Sequence, residues 1–390
     1  MISLLPIQWV GHYAPSYEFI FYTLYMYMIN LRNICAVFSI YYYKGRTIQM
    51  PRTIVQNRIA TPELIAQINP TNIVLMEGFL TYLRTIQKSD GTIREYRYNV
   101  RIALIWNLKY NDNKLFTDWE EEDIMRFQEW TIEHNKNSPN RVHTLKSTLS
   151  SMSNYIRRIH KRKYPEFENI VNNVEHPPIE LTQEKTIFTE EDVDRLLDML
   201  TSQGYFNRAC CVSLAVNSGR RKAELLRFKV SDFTDDHLTC NGGLYKSTPM
   251  RTKGRGKHGK KLVCYTVAKR FKPYFDNWMN YRELHGITGD FLFPSPKDNT
   301  VAIKPTTLTE WANDFSLMLN CNFYWHALRH FACTQFKRAG VPDSVIKAYF
   351  GWSSMNMVET YNDLSVDEQL DMYFNEDGIK KVNPTSFDQM

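Results

Sequence analysis

His326-Ala327-Leu328-Arg329, followed by Gly351-Trp352 and, nine positions later, by Tyr361, is the stretch from which the rest of this chain can be read. A tyrosine hydroxyl has a free pKa of about 10 and needs help to attack phosphorus. The transition state of such an attack gathers negative charge on the non-bridging oxygens, and fixed cationic donors stabilise it. Arginine suits this task because its planar fork matches two phosphate oxygens and keeps its charge. His326 and Arg329 are three apart, so on a helix they project from one face. The group therefore reads as a phosphodiester-cutting site with Tyr361 as nucleophile.

That chemistry calls for a second arginine upstream and for a proton donor to the leaving 5′ oxygen. The first lies in Asn217-Ser218-Gly219-Arg220-Arg221-Lys222-Ala223-Glu224-Leu225-Leu226, a glycine turn followed by an apolar helical face. Arg251-Thr252-Lys253-Gly254-Arg255-Gly256-Lys257-His258-Gly259-Lys260-Lys261 supplies candidate donors, since Lys or His can do this work.

In this order the residues resemble the catalytic half of the tyrosine recombinase (phage integrase) family. Its pattern is Gly-x-Arg-x-x-Glu-Leu, a hairpin Lys, His-x-x-Arg, Gly-His/Trp and Tyr. Matched position by position, the resemblance implies Arg221, Lys253, His326, Arg329, Trp352 and Tyr361 as catalytic residues, with Glu224 supporting the first arginine. Lys257 competes with Lys253 as the hairpin lysine, and Arg220 and His330 sit one residue from matched positions. Trp352 stands where many relatives carry histidine; its indole donates a hydrogen bond but exchanges no proton. The implied reaction is strand cleavage through a 3′-phosphotyrosyl bond, reversible by a partner strand's hydroxyl, with no ATP, metal or other cofactor. The implied partners are duplex recombination sites, further copies of this chain in a tetramer on DNA, and accessory DNA-bending proteins. The alternatives are type IB topoisomerase-like relaxation and a catalytically silent DNA-binding protein on the same fold.

Composition agrees. A chain of 390 residues, 43% hydrophobic, holds two domains with ordinary cores. The net charge of +6 is modest, but phosphate neutralisation is local. Arg157-Arg158-Ile159-His160-Lys161-Arg162-Lys163 places five cations within seven residues, and 251–261 places six within eleven. Arg157, Arg158, Lys161, Arg162, Lys163, Arg251, Arg255 and Lys257 are the candidate DNA contacts. The seven cysteines are scattered without a Cys-x-x-Cys pair or an even framework, which suits a reducing cytoplasm.

The expected architecture is mainly helical with a small antiparallel sheet. Residues 1–49 form an apolar extension in which Asn30, Arg32 and Asn33 interrupt the run at 17–43. Met50 reads as the natural start, the alternative being a membrane tether. Residues 50–167 read as a helical domain like the family's core-binding domain. Its helices carry Ile73 to Leu83, Tyr96 to Trp106, Ile124 to Trp130, and Leu145, Leu149, Met152 and Ile156. A turn at 89–91 separates the first two, and Thr117-Asp118-Trp119-Glu120 reads as the cap of the third. Residues 168–187, with His176-Pro177-Pro178, read as an extended linker. The catalytic domain spans 188–390, opening with Thr189 as a helix cap. A tail from about residue 364 docks on its own domain or on a neighbouring copy.

Overall fold

The computed structural model describes residues 59–178, 186–253, 259–375 and 378–379. The extension at 1–49 lies outside them. Among the described residues no helix is long and apolar enough to cross a membrane.

The first half is helical: α1 (Pro62–Ala66), α2 (Pro70–Thr85), α3 (Asp90–Tyr110), α4 (Glu121–Glu133) and α5 (Pro139–Ile159). In α5, Val142, Leu145, Leu149, Met152 and Ile156 recur every three or four residues and are all buried. Of these, Leu145, Leu149, Met152 and Ile156 meet Phe79, Leu80, Val100, Leu104 and Phe127 in one core. Burying each such side chain contributes about 1.5–3 kcal/mol, enough to hold helices too short to be stable alone.

Three local readings shift. The turn at 89–91 is shorter than expected, because the Ser89 hydroxyl accepts from the Thr92 amide at 3.2 Å and α3 begins at Asp90. The cap before α4 is Glu120, whose amide donates to Asp123 at 2.9 Å, while Thr117 bonds Asp118 instead. Residues 168–174 are not linker: Val171 is buried in the helical core, with Ile170 and Val174 packed against it. Lys146, itself fully buried, donates to Gln128 Oε1 (2.8 Å) and to the carbonyls of Val174 (2.7 Å) and Glu175 (3.0 Å). Those three acceptors compensate a burial that lowers the ammonium's pKa.

The second half opens with α6 (Glu190–Ser202), capped by the Thr189 hydroxyl on the Asp192 amide at 3.2 Å as its sequence indicates. Then come α7 (Phe206–Ser218) and the single turn α8 (Lys222–Leu225). Strands β1 (Leu238–Thr239), β2 (Leu244–Lys246) and β5 (Tyr265–Val267) form an antiparallel sheet in the order β1-β2-β5. Between β2 and β5, β3 (Met250–Thr252) pairs with β4 (Lys260–Leu262), Arg251 opposite Lys261. Helix α9 (Ala268–Leu284), the hairpin β6 (Pro294–Ser295) with β7 (Asp298–Ala302), and α10 (Pro305–Leu319) follow. The chain goes on through α11 (Trp325–Arg338), α12 (Asp343–Phe350), α13 (Asn356–Tyr361) and α14 (Val366–Tyr373). A last bridge pairs β8 (Phe374–Asn375) with β9 (Gly378–Ile379).

Cys210, Cys211 and Leu214 of α7 and Phe271 of α9 are fully buried at the centre of this half. A second, smaller cluster joins Cys333, Phe336, Ile346, Tyr349, Phe350, Trp352, Val358 and Tyr361. This second cluster brings α11, α12 and α13 together, and with them the residues singled out in the sequence.

Candidate active site

Helix α7 stops at Gly219, whose φ of +59° lies in the left-handed region. The chain then turns sharply, so that Arg220 and Arg221 diverge. Arg220 is buried and donates to the carbonyls of Tyr349 and Phe350 at the end of α12. Arg221 caps α8 and meets Glu224 through its guanidinium (Nη1 to Oε1, 3.3 Å) and its amide (3.2 Å). Of the two neighbours, Arg220 is therefore committed to holding α12, and Arg221 is half-exposed beside the acid.

Glu224 is itself buried and also accepts the backbone N–H of Lys253 at 3.1 Å. Burial pushes its carboxyl up, but the Lys253 amide and the Arg221 charge outweigh this and hold it below the usual range. One carboxylate thus joins the turn bearing Arg221 to the β3–β4 hairpin, where Lys253 is exposed directly after β3. Arg255 and Lys257 lie outside the described residues.

Arg329 is 1% exposed. Its Nη1 donates to the Gly219 carbonyl at 2.6 Å, whereas Nε and Nη2 make no hydrogen bond among the described residues. The guanidinium lies over three rings, Phe350 (5.2 Å), Trp352 (5.1 Å) and Tyr361 (5.2 Å). Burial, with Arg221 nearby, lowers its pKa to about 10, so it remains a cation at neutral pH.

Tyr361, the last residue of α13, stacks on Trp352 with centroids 5.0 Å apart, and Trp352 stacks on Phe350 at 4.5 Å. Its hydroxyl is 2.9 Å from Nε2 of His326. Loss of water around the ring, then the charges of His330, Arg329, Arg221 and Lys253, push the His326 pKa down to about 4. His326 is accordingly neutral at pH 7 and can accept the tyrosine's proton. The Trp352 indole N–H is buried without a partner among the described residues.

Tyr361, His326, Arg329 and Trp352 thus meet through direct contacts, and Glu224 joins Arg221 to Lys253. The basic run at the end of α5 stands apart in the first half, and Arg157, Arg158, Lys161, Arg162 and Lys163 are all exposed there. Arg251 is exposed on β3. Sequence reasoning did not reach three contacts: the Gly219 carbonyl on Arg329, the Phe350 ring beneath the site, and His330 against Asp363 at 3.2 Å. Only His330 left a signal, its spacing of four from His326.

The Phage integrase family matches residues 186–368, and the Phage integrase, N-terminal SAM-like domain matches residues 75–166. A tyrosine recombinase of Thermosipho africanus (strain TCF52B) is 21% identical over 300 residues, covering 76% of this chain and 97% of the relative. The fold is similar to that of XerH site-specific recombinase bound to a palindromic difH substrate in a post-cleavage complex. That structure has a TM-score of 0.57 at 16% identity, over 77% of this chain and 94% of the other. It is also similar to lambda integrase in a tetramer bound to a Holliday junction, with a TM-score of 0.56 at 16% identity over 74% and 76% of the two chains. Two matched domains in this order, ending on a buried tyrosine hydrogen-bonded to a histidine, leave one conclusion: the chain belongs to the phage integrase family of DNA breaking-and-rejoining tyrosine recombinases.

Proposed function

We propose that this protein carries out site-specific recombination by metal-independent cleavage and rejoining of duplex DNA, with Tyr361 as the nucleophile. The observation that carries the reading is the Tyr361 hydroxyl held 2.9 Å from a neutral His326, beside a buried arginine with two donor nitrogens that find no acceptor among the described residues. The tyrosine oxygen attacks the scissile phosphorus and its proton passes to His326. The bond to the 5′ oxygen breaks, and Lys253 protonates that oxygen to a hydroxyl, leaving a 3′-phosphotyrosyl ester. Arg329 and Arg221 face the phosphate oxygens on which charge develops, and Glu224 orients Arg221. Trp352 supplies an indole N–H and a stacking wall that excludes water. Because the ester conserves the energy of the broken bond, a partner strand's 5′-hydroxyl can reverse the step.

The exposed run from Arg157 to Lys163 serves as a phosphate-contacting surface. Assembly into a tetramer on DNA is supported by α14 and the residue that follows it, where Val366, Leu370, Tyr373 and Phe374 are 44–70% exposed. Such a patch on a short terminal helix suits docking on a second copy. It also favours recombination over relaxation by a monomer. The protein acts on DNA in the cytoplasm.

The test uses nicked suicide duplexes with a randomised central segment, incubated without metal, capturing protein–DNA adducts that survive detergent. Sequencing the captured strands identifies the site. Adducts formed by the wild type and lost in Tyr361→Phe are expected. Adducts that persist in Tyr361→Phe, or none from any duplex, refute the assignment.

A further inference from the structure

His330 lies one helical turn beyond His326 on α11, with its ring 4.6 Å from that of Tyr361. Its Nδ1 faces Oδ1 of Asp363 at 3.2 Å, and both side chains are nearly buried, 12% and 6% exposed. A carboxylate only accepts, so His330 carries a proton on Nδ1. Asp363 grips the same helix a second time, because its backbone N–H donates to the Thr334 hydroxyl at 3.1 Å. Residues 330 and 334 are successive turns of α11, and Asp363 is two residues past Tyr361.

From these contacts we infer that Asp363 and His330 form a positioning pair. The pair fixes the segment carrying Tyr361 to the helix carrying His326 and Arg329, and so sets where the tyrosine oxygen sits relative to the phosphate-binding groups. The inference rests on Tyr361 being the nucleophile. Beyond the Tyr361–His326 hydrogen bond, which belongs to the reacting groups themselves, two further polar links between α11 and α13 are weaker. Lys337 and Glu359 are 3.7 Å apart with Glu359 63% exposed, and an exposed pair contributes little. The Cys333 thiol reaches the Val358 carbonyl at 3.8 Å, and a thiol is a weak donor. Apolar packing of Val358 and Tyr361 holds the segment against α11 but leaves rotation and sliding unopposed. Two directed hydrogen bonds from one residue remove both freedoms. A misplacement of roughly 1 Å can slow a reaction about 100-fold, so a staple beside the nucleophile acts on rate while leaving DNA affinity alone.

The test uses the full-length protein and a duplex captured by the adduct selection above. Single-turnover adduct formation gives the cleavage rate. DNA affinity is measured separately with each substitution combined with Tyr361→Phe, so that binding is read without cleavage. Asp363→Ala and His330→Ala are each expected to slow cleavage about 10- to 100-fold, with affinity unchanged. The double variant falls no further than the worse single, because the two residues act as one unit. Asp363→Asn keeps an acceptor for Nδ1–H and recovers most of the rate. Thr334→Val, which removes only the second grip, slows cleavage more mildly. Wild-type rates in the alanine variants, multiplying losses in the double variant, or an equal loss of affinity would overturn the inference while leaving Tyr361 as nucleophile. Absence of a Tyr361-dependent adduct in the wild type would instead remove the reading on which it rests.

Discussion

Gly219→Ala acts at the point where the turn, the aromatic stack and Arg329 meet. The position has φ +59°, where an L-residue is strained by about 1–2 kcal/mol. A Cβ there would stand 2.2 Å from Cε1 and 2.7 Å from Cζ of Phe350, which no real contact allows. Phe350 cannot retreat freely, because it is 2% exposed, stacks on Trp352 at 4.5 Å and lies under Arg329. Overpacking of this kind costs about 1–3 kcal/mol. The total is roughly 2–5 kcal/mol, or a fall in Tm of about 5–15 °C for a domain of this size. Gly204 is the control: its φ of +75° carries the same backbone strain, but nothing lies within 4 Å of its would-be Cβ. Thermal unfolding of Gly219→Ala and Gly204→Ala, with single-turnover cleavage of each, separates strain from clash. The glycine at 219 should lose stability by the clash as well as the strain, and should lose cleavage because the Gly219 carbonyl that holds Arg329 moves with it. Equal stabilities of the two variants, or full cleavage in Gly219→Ala, would refute the reasoning.

Three further outcomes follow from the same geometry. Glu224→Gln leaves Arg221 without its buried counter-charge and should cost about 2–4 kcal/mol, read by denaturant unfolding. Because Glu224 has a folded pKa below its unfolded value of about 4.3, that stabilisation is present above pH 4.3 and lost as pH falls through the folded value; a gap between wild type and variant that stays constant to pH 2 would contradict this. His326 takes up its proton near pH 4 when folded and near 6.5 when unfolded, so wild-type stability should decline as pH falls from 6.5 toward 4. Part of the His326 surface still reaches water, which screens part of the effect, and His326→Gln should flatten that slope in a Tm-against-pH series. Removing residues 364–390 should abolish synapsis in native gels yet leave binding to a single site intact; loss of single-site binding would place the tail in its own domain.

How much of this was legible in the sequence depended on the range of the contact. The helix α5 announced itself because Leu145, Leu149, Met152 and Ile156 repeat on one face, a local pattern that burial then confirmed. Thr189 and Asp192 are three apart and make their cap without outside help. By contrast, Thr117-Asp118-Trp119-Glu120 reads as a box capped at Thr117, whereas the cap is Glu120, whose amide meets an Asp123 that Lys114 and Arg126 also hold. The end of the helical domain was misplaced for a similar reason: Val171 and Val174 show no periodicity, yet Lys146 reaches across to hold the carbonyls behind them. At the site, residue identity pointed to the candidate side chains, while long-range folding determined what holds them. Glu224 meets the Lys253 amide 29 residues away, and Arg329 meets Gly219 across 110. No local pattern encodes such pairs.

Arg329 shows why these holding contacts matter to function. Withdrawing a guanidinium from water costs several kcal/mol, and a single carbonyl at 2.6 Å does not offset it. The three aromatic faces around it each contribute about 0.5–2 kcal/mol as cation–π contacts and leave its polar edge unspent. Among the described residues Nε and Nη2 therefore remain buried donors without acceptors, as does the indole N–H of Trp352. A fold that kept these groups for stability alone would do better with a buried carboxylate or with apolar residues. Retaining them makes sense if an anion completes the shell, and a scissile phosphate does so with the charge and number of acceptors that the described residues do not supply. The same rings that shield the guanidinium include that of Tyr361, the proposed nucleophile, so the arginine and the Tyr361 oxygen are positioned by one stack. Any change that loosens the stack should lower the phosphate's stabilisation and the tyrosine's alignment together, which is why Phe350, Trp352 and Gly219 bear on catalysis as much as the residues that touch DNA.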